Sequence, residues 1–90
     1  MNEENKFLLV LGDSDDVHNL QTEFLRIREL GLNFNKSPSV AAIYETYAES
    51  AKEYAEEFRA SGKKVGVYGT REKAMAYFLR AIDFIDNDFS

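Results

Sequence analysis

Three observations predict a small α/β fold, a two- or three-stranded parallel sheet packed with three helices. Residues 6–11 (KFLLVL) form a short, continuous apolar run, the pattern of a strand covered on both faces and the usual state in a parallel sheet. Short strand-like runs alternate with longer stretches of helical periodicity, and glycine-containing turns separate them. Alternation of this kind points to right-handed crossovers in the order β-α-β-α-β-α. Without the second strand the order becomes βααβα.

The elements follow in turn. After Gly12, the cluster Asp13, Ser14, Asp15 and Asp16 supplies N-cap residues, and Val17, Leu20, Phe24 and Ile27 recur at helical spacing. Gly31 and Leu32 make a stop signal. Residues 32–35 alternate apolar and polar and read as a second strand. Ser37-Pro38 fits a cap followed by proline at the first helical position. From there to about Ala60 a long helix is expected, because Val40, Tyr44, Tyr47, Ala51, Tyr54 and Phe58 step by four and three. Ser61-Gly62 ends it. Residues 64–68 (KVGVY) read as the next strand, and Thr70 caps a last helix with Met75, Phe78, Leu79, Ile82, Ile85 and Phe89 on one face.

The 90 residues suit one domain, 1–90, with fraying expected at 1–5 and 87–90. Hydrophobic residues make up 44% of the chain, with seven Phe and five Tyr, enough to build a core. No cysteine is present, so neither a disulfide framework nor a thiolate metal site is expected. No leader peptide or membrane span is legible, which makes cytoplasmic the default location. The net charge of −5 argues against direct binding to nucleic acid or anionic membrane.

The Gly12-Asp13-Ser14 turn, with Asp15 and His18 close behind, resembles over some seven residues the opening motif of the GDS hydrolases. Four residues along one helix cannot place His18 to accept a proton from Ser14 while Asp15 orients the ring. The chain also lacks that family's oxyanion-hole glycine and asparagine. No hydrolase is expected, and no cofactor or metal motif is found.

Two binding readings remain. The first is a non-enzymatic interaction module, a regulator or inhibitor, that binds a partner protein with a basic surface and pairs with itself as a dimer. Its surface would be the acidic, tyrosine-rich long helix, with Glu45, Glu49, Glu53, Glu56, Tyr44 and Tyr47 as contacts. Three like-charged pairs at four-residue spacing (45–49, 49–53 and 53–57) weaken that helix and suggest another use for the acids. The second reading is a site for a phosphate-bearing ligand. It would combine the turns 12–16 and 69–73 through Asp13, Ser14, Asp15, Thr70, Arg71 and Lys73, brought close if the strands are parallel neighbours.

Overall fold

The computed structural model describes residues 4–12, 16–30, 38 and 40–89, with side chains described for these except Leu30 and residues 84–89. The elements are β1 (Asn5–Leu11), α1 (Val17–Leu30), β2 (Ala41–Tyr47), α2 (Ala48–Ala60), β3 (Lys64–Tyr68) and α3 (Arg71–Phe89). The chain is thus α/β with three strands and three helices, and the strands lie in the order β2-β1-β3.

The sheet is antiparallel, not parallel as expected. Leu11 pairs with Ala41 and Asn5 with Tyr47 on one side of β1; Leu11 pairs with Lys64 and Phe7 with Tyr68 on the other. The expectation rested on the two-faced burial of β1, and that burial is present. Leu9 faces Leu20, Ile27, Ala41, Ile43, Ala74 and Phe78 on the side of α1 and α3. Leu8 and Val10 face Ala42, Tyr44, Ala51, Ala55 and Phe58 on the side of α2. Helices on both faces explain the unbroken apolar run, whichever way the neighbouring strands point.

The direction of β2 follows from where it begins. Arg71, just past β3 at the Phe7 end of the sheet, donates to the Ile27 carbonyl, so α1 finishes at that end. Gly12 N–H donates to the Val40 carbonyl, so β2 begins at the opposite end, beside Leu11. β2 and β3 therefore point the same way, with α2 as their crossover and β1 threaded between them.

Where a continuous helix to Ala60 was expected, β2 occupies Ala41–Tyr47 and α2 starts only at Ala48. Pro38 is buried and lies outside any helix. The expected strand at 32–35 and the stop at Gly31 fall outside the described residues. Of the four expected cap residues, Asp16 caps α1: its Oδ1 accepts the His18 N–H at 3.0 Å; Asp13, Ser14 and Asp15 lie outside the described residues. β1 takes in Asn5, one residue beyond the apolar run. Ala51 and Ala55 let α2 settle closely over Ala42 and the even-numbered side of β1. On the other face Phe24 meets Phe78 with ring centroids 5.9 Å apart.

Tyr44 was expected among the partner contacts, but it is 2% exposed. Strand alternation turns it toward α2, where it stacks on Phe58 at 5.6 Å between centroids. Burial pushes its phenol up to about 12, with Arg26 opposing and Glu23 adding to the shift.

Leu9→Asp is expected to abolish folding, since it puts a charge into the more crowded face of the central strand at a position only 4% exposed. Circular dichroism with thermal melting reads this directly; a cooperative melt would show that β1 is not the hub. Tyr44 sets an alkaline limit. Its folded pKa lies above the ~10 of a free phenol, so the stability it contributes is full below pH ~10 and is lost as pH rises toward about 12. The loss is on the order of 2–3 kcal/mol at the top of that window. Tyr44→Phe should flatten urea-derived stability against pH between 10 and 12. Some slope should remain from Tyr68, whose pKa burial also raises.

Candidate functional site

β2 passes into α2 with no intervening loop, and Tyr47 stands at the corner. It is the N-cap of α2, with extended backbone (φ −65, ψ 146) and no side-chain capping hydrogen bond. Serine, threonine, aspartate or asparagine at this position would satisfy a helix N–H; tyrosine cannot. One of the exposed helix-start donors is met from elsewhere, as Ala48 N–H donates to the Glu4 carbonyl at 3.2 Å. The Tyr47 side chain is 60% exposed, the highest value for a large hydrophobic side chain among the described residues.

Around this tyrosine lies a shallow concavity of about 440 Å³ lined by Asn5, Glu45, Thr46, Tyr47, Ser50 and Tyr54. Asn5 Nδ2 donates to Glu45 Oε1 at 2.7 Å and fixes that carboxylate at the rim. Beyond it, α2 buries Ala51, Ala55 and Phe58 and leaves Glu49, Glu53 and Glu56 exposed. At 100° per residue these three acids fall within about 60° of one another and form one stripe. Glu49 also lies in the first turn, where a carboxylate complements the helix dipole.

Of the expected partner contacts, Glu45 and Tyr47 therefore meet at the corner, and Glu49, Glu53 and Glu56 continue from it along α2. Tyr44 is withdrawn into the core. Glu45 belongs to β2, so the 45–49 pair is not a helical neighbour pair and only 49–53 and 53–57 remain as such. Asn5, Thr46, Ser50 and Tyr54 were not anticipated as part of this surface. Asn5 could not be, because its place beside Glu45 depends on pairing across forty residues of chain. The apolar side of α2 is spent on the sheet and is not free for self-association.

Among the described residues, the two turns expected to combine into a ligand site leave the sheet at opposite ends. Gly12 leaves β1 beside Leu11 and Lys64, whereas Gly69 follows Tyr68 beside Phe7. Four residues of β1, ~14 Å, separate the two ends. Asp13, Ser14 and Asp15 themselves lie outside the described residues. Thr70 Oγ1 accepts the Lys73 N–H at 3.2 Å and the Thr70 carbonyl accepts from Ala74, so this residue caps α3. Arg71 reaches the Ile27 carbonyl in the last turn of α1. A cation in the first turn of α3 opposes that helix's own dipole, and this was the overlooked signal that it serves another helix's end.

Among the described residues no group of three or more metal-ligating side chains converges, and no helix is long and apolar enough to cross a membrane. In comparisons with known proteins, no family model, curated protein or solved structure matches the chain.

Proposed function

We propose that this protein is a non-enzymatic interaction module that binds a partner protein with a basic surface at the β2–α2 corner. The observation that carries this reading is Tyr47: an exposed aromatic side chain at a helix N-cap where a short polar residue would serve the fold better. Tyrosine supplies large contact area with one polar handle and is enriched at interfaces. The Glu49, Glu53 and Glu56 stripe, with Glu45 beside it, supports a basic partner, because such a field steers and orients an opposite charge. Repulsion along α2 is the accompanying cost to stability. In this reading the module acts as a regulator or inhibitor that occupies its partner's surface.

Two substitutions separate binding from folding. Tyr47→Ser should stabilise the protein by about 0.5–1 kcal/mol through a restored cap and raise its melting temperature by a few degrees. Glu53→Lys turns repulsion from Glu49, Glu56 and Glu57 into attraction, at ~0.2–0.5 kcal/mol per pair, and should also stabilise. Both should weaken capture of basic proteins from source-cell lysate, and the wild-type capture should fall as salt rises. Equal capture by all three proteins would remove the corner from the binding surface.

A further inference from the structure

The opposite edge of the sheet has different chemistry. β3 is an edge strand, and on the α3 side its side chains are Lys64, the vacant position of Gly66, and Tyr68. A Cβ at Gly66 would collide with the Tyr68 ring, so glycine lets that ring lie back along its own strand. There Tyr68 stacks on Tyr77 of α3, with centroids 4.8 Å apart and planes at 21°. The Arg80 guanidinium carbon lies 5.4 Å from the Tyr77 ring centroid. Past this stack, strand and helix diverge around a groove of about 280 Å³. Leu9 and Leu11 contribute to its lining, with Lys64 and Gly66 on the strand side and Tyr77 and Ala81 on the helix side.

One further feature marks the edge as a surface for another chain. Val67, on the α2 side of β3, is 41% exposed, and Tyr77 is 46% exposed, so both sides of the strand have apolar surface left over. Arg59, from the end of α2, donates to the Val65 carbonyl at 3.1 Å, so this edge carbonyl already has a partner that an added strand must displace. Cations gather near the two sides of the strand. Arg59, Lys63 and Lys64 cluster where α2 turns into β3, and Arg80 lies on the helix side.

We propose that β3 and α3 together form a receptor for an extended peptide of alternating acidic and apolar residues, which adds to the sheet as a fourth strand. Edge-strand backbone groups give such a peptide its register, and the groove beside the strand takes every second side chain. Apolar side chains enter between Gly66 and Ala81 beside Lys64, and the alternate carboxylates fall on the α2 side of the strand, toward Arg59. A second copy of this chain is a poorer occupant: pairing β3 with β3 about a two-fold axis would set two cationic edges face to face. The inference is independent of the acidic corner, which lies on the other edge strand.

The test is an NMR titration of the isotope-labelled protein with an amidated (Glu-Val)4 peptide, using (Lys-Val)4 as control. The expected result is saturable shifts confined to the amides of Val65, Gly66 and Val67 and to α3 around Ala81, with slower exchange of the β3 amides and weakening by salt. Arg59→Glu and Tyr77→Ala alter exposed side chains, and each should weaken binding at least about tenfold; Arg59→Glu should also narrow the preference over the lysine peptide. Equal binding of both peptides, shifts mapping to the β2–α2 corner, or no saturable shift at millimolar peptide would overturn the proposal. So would β3 shifts that depend on protein concentration without peptide, which would mean self-association.

Discussion

The structure depends on the burial of one strand from both sides. β1 lies between two edge strands and two helical layers, and Leu8 and Val10 on one face and Leu9 on the other are almost wholly removed from water. At ~25 cal/mol per Å² this dense apolar burial is the main return on ordering the chain. Each helix is amphipathic only in relation to this strand and its neighbours: α1 and α3 share the face of Leu9, and α2 takes the face of Leu8 and Val10. Each edge strand has one side that no other strand pairs.

How far the fold was legible follows from which signals are local. β1 showed as an unbroken apolar run, β3 as KVGVY between glycine turns, and α3 through Thr70 and its apolar face. β2 was hidden. Its side chains serve two buried faces, so AAIYETY has no clean alternation, and Tyr44 and Tyr47 continue at helical spacing the Ala51, Tyr54 and Phe58 pattern of α2. Ile43, Tyr44, Thr46 and Tyr47 favour a strand, while Ala41, Ala42 and Glu45 favour a helix. Pairing with β1 decides between them, and no window of local sequence contains that pairing. The antiparallel direction was hidden for the same reason, since two-faced burial reports cover and not strand polarity.

The same division applies to the surfaces. The acids of α2 were visible as a pattern, whereas the burial of Tyr44 and the exposure of Tyr47 turned on the strand that replaced the helix. The concavity at the corner and the groove beside β3 each bring together residues from separate elements.

The central position of β1 also sets the order in which the chain can fold. Its partners lie 30 residues away at the nearest, from Leu11 to Ala41, and 61 at the farthest, from Phe7 to Tyr68. Contacts so distant in sequence make for slow closure compared with a helical bundle of equal size. During synthesis the first strand made is the last to be satisfied: its most apolar stretch must wait until Tyr68 has left the ribosome before both its sides are paired. For that interval Leu8, Leu9 and Val10 are open to any unpaired strand nearby, so the N-terminal segment is the part of this molecule most in need of a chaperone's protection.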